Sequence, residues 1–427
     1  MDKKPRVVLL CAFSDQKLRS KLEFPKYYWA NILRKLLHMS NEIDYAVWDS
    51  NAITEFEKYD DVEIHVVAPH SGISHMHEFV EKGIYYHIFW SEWDIIIEKI
   101  KRKLGLQNKN SFKHHRRIIS RLVKQIKPDI IHVIGIENKF HSLAVLDLPK
   151  SIPVIAQLQT LVSDTRFKEN TNATEKEYTY DSEIEKLILL RSNYIGTQVS
   201  RFRQIIKDEI KPDAVFLDTS LAVGETVDFG TTPKSYDFVY FAADISKAAD
   251  WAIEAFAEAL KMKPGITLDI VGGYSVQFKA LLDNRIEELG IKENVTFEGK
   301  LPTHNDVLRQ IRKARFALLP LKIDLVSGTI REAMACGLPV ITTITPGTPN
   351  LNKKRECVLL SESGDHKAMA NNMLKLLCDE DYAQLLRENA GITTSERISN
   401  KEVIIHWKES YYSCIENYSN KTGRNED

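Results

Sequence analysis

The chain has 427 residues, of which 43% are hydrophobic and 27% are charged, and its formal net charge is −1. This composition is typical of a globular protein with two or three domains, and the balanced charge disfavours nucleic acid as a partner. The five cysteines are dispersed and form no Cys-x-x-Cys pair, which argues against a disulfide framework or a zinc site and favours a reducing compartment. Neither a signal peptide nor an apolar run of about eighteen residues is evident, and we therefore expect a cytoplasmic protein.

Apolar runs alternate with amphipathic stretches along the first half of the chain. The predicted strands are residues 6–12, 62–67, 83–89, 130–134, 153–156 and 194–196, and the predicted helices are residues 27–37, 112–126 and 183–190. Strands that alternate with helices favour a parallel, doubly wound sheet with helices on both faces.

Turn-forming residues at 229–235 interrupt this alternation, and we interpret them as a domain linker. The pattern then restarts, with predicted strands at residues 238–241, 267–271, 295–297, 316–319 and 357–360, and predicted helices at residues 250–260, 278–289, 304–314, 366–377 and 400–418. The predicted fold class is α/β, with two Rossmann-like, doubly wound domains facing a cleft. We assign residues 1–228 and 236–395 to these domains, and expect residues 396–427 to form a helix that packs back on the first.

Residues 324–340 carry the clearest chemical signal. Ser327, Gly328 and Thr329 form a turn that leads into a short predicted helix, which ends at Gly337. The first backbone N–H groups of a helix lack intrahelical partners and lie at the positive end of its dipole, so such a start favours a phosphate. The segment also lies where ligands bind in doubly wound sheets, beyond the carboxyl ends of the strands.

Two carboxylates bracket this anion site. Asp324 and Glu332 could accept hydrogen bonds from hydroxyl groups, and phosphate donors beside such carboxylates suit a sugar nucleotide. An alternative is purely structural: Thr329 and Glu332 form a capping box for their own helix, and Asp324 is a loop or capping residue. The segment by itself leaves both interpretations open.

The segment from Lys99 to Pro128 contains eleven lysines or arginines and two histidines, but no acidic residue. Its interleaved apolar residues are Phe112, Ile118, Ile119, Leu122, Val123 and Ile126. One interpretation is a solvated helix whose apolar stripe faces the core. The other is a cationic face, within residues 99–127, for anionic lipid or a lipid-pyrophosphate acceptor.

Residues 238–395 resemble the nucleotide-binding domain of the retaining glycosyltransferases of family 4, which have the GT-B fold. The matching segments occur in the family's order: Lys247 with residues 250–256, then residues 268–273, 295–299, 324–340 and 364–370. In the first half, residues 129–135 and 153–159 are similar to the family's fourth and fifth strands.

The resemblance implies roles for individual residues. Lys247 would contact the donor pyrophosphate, Asp324 would face the donor sugar, and Glu332 would grip the ribose. The remaining donor-binding positions that it implies are Gly272, Gly273, Phe297, Gly299, Leu301, Ser327, Gly328, Thr329 and Ile330. Ser14 and Gln159 would lie on the acceptor side.

Three positions depart from the family pattern. Ala242 stands where the family has an arginine, Gln159 replaces a histidine, and residues 12–15 replace a glycine-rich turn. The Asp-x-Asp sequence formed by Asp379 and Asp381 matches a metal motif of another glycosyltransferase fold, but we interpret it as surface charge. No metal or cofactor is expected.

The sequence thus predicts a cytoplasmic, retaining glycosyltransferase that moves a hexose-type sugar from a nucleoside diphosphate donor of the UDP or GDP type. The acceptor would be a saccharide or a lipid-linked molecule, in surface polysaccharide or glycoconjugate synthesis. Residues 99–127 would provide peripheral contact with an anionic membrane, on its inner face, and no nucleic acid partner is expected. Two alternatives remain: a nucleotide-sugar-binding protein without transfer activity, and a sugar phosphorylase or synthase of the same fold.

Overall fold

The computed structural model describes residues 4–26, 28–29, 31–32, 44–169, 173–222, 232–242, 247–322 and 327–422. The chain divides into two compact units, the first formed by residues 1–222 and 400–427 and the second by residues 223–399. Much of the helix predicted at 27–37, part of the linker predicted at 229–235 and the predicted site residue Asp324 lie outside the described residues.

An eight-stranded sheet forms the centre of the described part of the first unit, in the order β3-β4-β2-β1-β5-β6-β7-β8. Its strands are β1 (Arg6–Leu10), β2 (Glu63–His70), β3 (His77–Glu81), β4 (Ile84–Trp90), β5 (Ile130–Ile134), β6 (Val154–Gln157), β7 (Tyr194–Gly196) and β8 (Phe216–Leu217). The central strands β1 and β5 are nearly continuous runs of buried aliphatic residues, as expected for parallel strands covered on both faces.

The edge strand β3 was not predicted, and it is the antiparallel exception in this sheet. Lys82 and Gly83, both with positive φ, connect it to β4 in a two-residue turn that suits the twist of a hairpin. The sequence of β3, His-Glu-Phe-Val-Glu, alternates half-buried and exposed residues and contains two glutamates, so it lacks the apolar run by which the buried strands were predicted.

Helices flank the sheet of the first unit: α1 (Gln16–Arg19), α2 (Val47–Phe56), α3 (Glu92–Leu104), α4 (Lys113–Ile126), α5 (Lys139–Ser142), α6 (Thr165–Glu169), α7 (Glu175–Arg191) and α8 (Ser200–Ile205). The sequence predicted α4 and part of α7 but neither α2 nor α3. In α3, buried carboxylates and exposed apolar residues depart from the usual amphipathic pattern.

The second unit contains a six-stranded sheet in its described part, in the order β11-β10-β9-β12-β13-β14. Its strands are β9 (Tyr236–Phe241), β10 (Leu268–Val271), β11 (Val295–Gly299), β12 (Ala314–Leu318), β13 (Val340–Thr343) and β14 (Val358–Ser361). Every pairing described in this sheet is parallel, which confirms the predicted doubly wound architecture. The chain leaves β9 toward β10 on one side and returns to β12 on the other, so the switch point lies between β9 and β12.

The helices in the described part of the second unit are α9 (Ala249–Met262), α10 (Val276–Glu288), α11 (His304–Ile311), α12 (Gly328–Ala335), α13 (His366–Cys378) and α14 (Glu380–Thr393). Asp379 is the N-cap of α14, and its carboxylate accepts a hydrogen bond from the backbone N–H of Tyr382 over 2.9 Å. This side chain therefore has a local structural role.

The last helix, α15 (Asn400–Thr422), belongs to the first unit. The indole of Trp407 donates to the carbonyl of Ser220 over 2.9 Å, and the Tyr411 hydroxyl lies 2.8 Å from Nδ1 of His132 on β5. Both aromatic side chains are fully buried, so α15 forms part of the core of that unit. Within the described part of the chain, no helix combines the length and the apolarity needed to span a membrane.

Candidate functional site

Helix α12 begins at Gly328, and Ser327 is its N-cap residue. The Ser327 side chain forms no capping hydrogen bond with the helix backbone; its hydroxyl lies 2.6 Å from the hydroxyl of Thr329. Thr329 is already inside the first turn, so the capping box considered for Thr329 and Glu332 does not form. In the described structure, a Cβ atom added at Gly328 would meet no atom within 4 Å, so the start of this helix borders open space.

Lys247 reaches this helix start from the loop that follows β9. Its ammonium Nζ donates to the Ser327 hydroxyl over 3.0 Å, although the two residues are 80 positions apart in sequence. The hydroxyl of Tyr240, on β9, donates to the backbone carbonyl of Lys247 over 2.9 Å and helps to hold the loop. Because the loops after β9 and β12 flank the switch point, a cation and a helix N-terminus meet where ligands of doubly wound sheets bind.

Glu332 lies one turn further along α12 and keeps 12% of its side chain exposed. Its Oε1 atom is 3.3 Å from Nε2 of His304, the first residue of α11. The neighbouring Arg331 faces the interior, where burial lowers the pKa of its guanidinium to about 10 against the opposing effect of the Glu332 carboxylate. Sequence reasoning did not identify His304 as a site residue, because a single histidine at a helix start carries no recognisable motif.

Gly272 brings two loops of the second unit close together. Its φ is +156°, and a Cβ atom there would lie 2.1 Å from the carbonyl oxygen of Ala242, which follows β9. The Gly272 amide donates to the carbonyl of Gly299, at the end of β11, over 2.9 Å. The loops after β9, β10 and β11 therefore meet at one edge of the sheet, and this close backbone approach requires glycine.

The next glycine, Gly273, lies beside the following loop. A Cβ atom there would contact the side chain of Lys300 at 3.1–3.3 Å. Phe297 is half-buried, with the ammonium of Lys279 4.4 Å from the centre of its ring, and Leu301 packs at the margin of the core. Gly273, Phe297 and Leu301 are among the positions that the family resemblance implies for donor binding.

A second cation lies at the same edge of the sheet. Lys322 follows β12, and its ammonium pairs with the carboxylate of Asp250, in the first turn of α9, over 3.0 Å. The Lys322 ammonium also lies 5.4 Å from the ring centre of Trp251. Sequence reasoning missed this lysine, which contacts α9 rather than the start of α12.

In the first unit, the two residues predicted for the acceptor side belong to separate hydrogen-bond networks. Ser14 is buried, and its hydroxyl accepts from Nη1 of Arg19 over 3.0 Å and lies 3.2 Å from Nε2 of His70. The Gln159 amide, oriented to satisfy both neighbours, accepts from the Trp48 indole and donates to the Glu137 carboxylate, each over 2.8 Å.

Two carboxylates accompany Gln159: Asp49 is buried and Glu137 is half-buried. Burial raises the pKa of Glu137 to about 8, and raises the pKa of Asp49 well above its usual value. Among the described residues, Glu137 Oε2 and Asp49 Oδ1 have no hydrogen-bond partner. Neither residue was identified from the sequence, because only the fold brings α2 and the loop after β5 together.

Comparison with known proteins finds a family match within the second unit. Residues 237–379 match the family described as Glycosyl transferases group 1. Over 135 residues the chain is 26% identical to N-acetyl-alpha-D-glucosaminyl L-malate synthase of Bacillus anthracis, a match that covers 32% of this chain and 35% of that protein. It is also 26% identical over 150 residues to 2-deoxystreptamine N-acetyl-D-glucosaminyltransferase of Niallia circulans, covering 35% and 38% of the two chains. The matched regions span little more than a third of these curated relatives.

Solved structures extend the likeness to the whole fold. Sucrose-phosphate synthase from Thermosynechococcus elongatus has a TM-score of 0.66 at 15% identity, over 97% of this chain and 100% of that one. Anabaena HepE in complex with UDP and glucose has a TM-score of 0.63 at 14% identity, over 96% and 100%. Residues 237–379 therefore match the glycosyl transferases group 1 family, within a chain that has the two Rossmann-like domains of the GT-B fold.

Proposed function

We propose that this protein is a glycosyltransferase that takes its sugar from a nucleoside diphosphate donor. The observation that carries the proposal is the hydrogen bond between Lys247 and Ser327, which sets an ammonium group against the start of α12 at the switch point of a group 1 glycosyltransferase unit. The cation and the backbone N–H groups at the helix start attract a diphosphate.

The same groups account for catalysis. When the bond from the sugar to the diphosphate breaks, negative charge grows on the departing phosphate oxygens. Lys247 and the N–H groups at 327–330 are already oriented toward that charge, so they stabilise the transition state more than the bound donor. In this proposal Asp324 orients the sugar and Glu332 holds the ribose hydroxyls. A retained anomeric configuration is the expectation from the family resemblance.

The proposed donor is of the UDP or GDP type, and two similar structures contain UDP. Anabaena HepE was solved with UDP and glucose, and the pneumococcal O-GlcNAc transferase GtfA with UDP and GlcNAc. The acceptor in our proposal is a saccharide or a lipid-linked molecule bound by the first unit, in surface polysaccharide or glycoconjugate synthesis. In this proposal the protein acts in the cytoplasm, at the inner face of a membrane.

A donor panel tests this function. We expect one of the UDP-, GDP- or ADP-sugars to raise the melting temperature, since a ligand at about 100 times its Kd adds about 2.7 kcal/mol to the free energy of unfolding. Release of nucleoside diphosphate should then follow, and sugar acceptors should accelerate it. Stabilisation without any release would indicate a binding protein, and sugar phosphate formed from orthophosphate would indicate a phosphorylase.

Glu332→Ala provides a second arm of this test. The variant should bind the donor and the bare nucleoside diphosphate more weakly by a similar factor, because both carry the ribose. It should fold normally, since Glu332 does not cap α12. A variant that melts earlier but keeps its affinity for both ligands would assign Glu332 a structural role only.

A further inference from the structure

Helix α3 buries its acidic residues and exposes its large apolar ones. Glu92, Asp94 and Glu98 keep at most 6% of their surface exposed, whereas Trp93 is 54% exposed and Leu104 is 63% exposed. An ordinary surface helix shows the opposite arrangement.

The buried carboxylates have a structural explanation. Asp94 accepts a hydrogen bond from the backbone N–H of His115 over 2.9 Å, and Glu98 accepts one from Phe112 over 3.2 Å, so both hold the start of α4. Glu92 accepts from the backbone N–H of Gly72. Hydrogen bonds from backbone N–H groups offset much of the free-energy cost of removing a carboxylate from water.

Among the residues that the structure describes, no comparable contacts account for the exposed apolar side chains. They lie at positions i, i+4, i+7 and i+11 of the helix and so form one continuous stripe, which consists of Trp93, Ile97, Ile100 and Leu104. We call these four residues the α3 stripe. Leu106, which is 58% exposed, continues it beyond the helix, and the ring of Trp29 lies 4.9 Å from that of Trp93. A contiguous apolar patch with a polar rim marks an interaction surface.

Positive charge borders the α3 stripe. At about 100° per residue, Lys101 and Lys103 fall roughly 80° to either side of it. Lys99 and Arg102 lie on the same helix, and the sequence from Lys99 to Pro128 contains no acidic residue. Glu98 and Glu177 pair with Lys101 and Arg102, respectively. A tryptophan-bearing apolar stripe between lysines suits the boundary between acyl chains and anionic headgroups.

The neighbouring helix α4 lacks these properties, although it carries much of the basic segment. Its apolar residues Ile118, Ile119, Leu122 and Val123 are at most 5% exposed, and Arg116 forms two hydrogen bonds with Asp147. For α4, the solvated helix with a core-facing stripe is therefore the correct interpretation. Within the described basic segment, exposed apolar side chains accompany the basic ones on α3 and its continuation rather than on α4.

We propose that α3 is a membrane-contact helix: the α3 stripe enters the interface of an anionic bilayer, while Lys101 and Lys103 contact lipid phosphates. The proposal narrows the lipid-facing region from residues 99–127 to this helix. It does not depend on transferase activity, since it rests on the burial pattern and charge of α3 alone.

Vesicle flotation of the full chain tests the proposal. The protein should float with vesicles of phosphatidylcholine and phosphatidylglycerol in equal amounts, but not with phosphatidylcholine alone. Added salt should reduce flotation, because exposed charges are screened within about 10 Å at ~0.1 M. Replacing Ile100 and Leu104 together by serine should abolish flotation, as should replacing Lys101 and Lys103 together by glutamate.

A control variant removes two exposed apolar residues from another helix. Leu187 and Leu190 on α7 are 39% and 53% exposed, and their double serine variant should float like the wild type. Melting temperatures of all variants would identify any that fail to fold. Wild-type protein that does not float at low salt would overturn the proposal. So would a concentration-dependent dimer that the Ile100 and Leu104 variant dissociates without any vesicle binding, because the stripe would then be an interface between two copies of the chain.

Discussion

At the scale of single residues, Lys247 is the side chain on which the proposed chemistry depends most. Lys247→Ala should lower turnover by a factor on the order of 10²–10³, which is typical for the loss of one preorganised electrostatic partner. Donor affinity should fall less, because the diphosphate carries more charge in the transition state than in the bound donor. Steady-state kinetics with the donor identified by the panel would measure both effects.

Lys261, at the exposed end of α9 and paired with Glu258, provides the matched control for this prediction. Lys261→Ala should leave turnover unchanged. Ala242→Arg is a complementary variant, since it restores the cation that the family has at this position. Raised turnover in this variant would show that the site keeps the family's geometry. Equal turnover in Lys247→Ala and the wild type would show that another group stabilises the leaving diphosphate.

Glu137 gives the protein a specific pH dependence of stability. Its folded-state pKa of about 8 exceeds the ordinary value of 4.5, so between these values the folded state binds more protons than the unfolded chain. Rising pH therefore lowers the free energy of unfolding across this window. Glu137→Gln removes the titration, and its melting temperature relative to the wild type should rise between pH 5 and pH 8.

Two buried histidines do not obscure this comparison. Burial lowers the pKa of His132 to about 3 and of His141 to about 4, so both histidines make stability rise with pH below about 6.5. Because wild type and variant share these histidines, their effect cancels in the difference. Buried Glu185, whose pKa burial raises to about 7, also titrates in this window, and because it opposes the ionisation of Glu137 it contributes to the measured slope. Glu293→Gln, at an exposed position, should show no such trend. A pH-independent difference between wild type and Glu137→Gln would mean that Glu137 is ionised in the folded protein.

At the scale of elements, the loop after β10 depends on Gly272. Gly272→Ala combines a strained backbone with a Cβ atom 2.1 Å from the Ala242 carbonyl, so the loops after β9 and β10 must separate. We expect a loss of stability on the order of 1–3 kcal/mol, and weaker binding of nucleoside diphosphate. Chemical denaturation and calorimetric titration would measure the two effects.

Gly290 isolates the backbone contribution to this effect. It also has a positive φ, of +68°, but a Cβ atom there would meet nothing within 4 Å in the described structure. Gly290→Ala should therefore cost only the backbone strain and leave nucleotide affinity intact. If Gly272→Ala binds nucleotide as well as Gly290→Ala does, the loop after β10 does not take part in the site.

At the scale of the whole molecule, the last segment of the chain completes the first unit. Trp407→Ala should destabilise that unit by about 3–5 kcal/mol, since it empties a fully buried site and removes the hydrogen bond to Ser220. Trp93→Ala, at a site that is 54% exposed, should cost much less in the absence of vesicles. Urea denaturation followed by circular dichroism would compare them. Equal stability of the two variants would mean that α15 contributes little to the core.

The sequence determined what depends on local pattern. Buried parallel strands are nearly continuous apolar runs, so β1, β5 and β9 could be predicted, and with them the two doubly wound sheets. The start of α12 at Gly328 and its end before Gly337 also follow from local conformational preferences. In β3 and α3, some polar side chains are buried or half-buried and some apolar side chains are exposed. The local sequence pattern therefore did not predict these two elements.

Only the tertiary structure decided which distant residues meet. The sequence could not place Ser327 within 3.0 Å of Lys247, nor Gln159 within 2.8 Å of Glu137, because sheet order and loop paths set these contacts. It also left open whether the basic segment faced lipid or the core. The burial of side chains distinguishes the two helices of this segment. Helix α4 packs its apolar side against the core, whereas α3 buries its carboxylates and exposes the α3 stripe. Local periodicity reports that a helix has two faces, but only packing determines which face is covered.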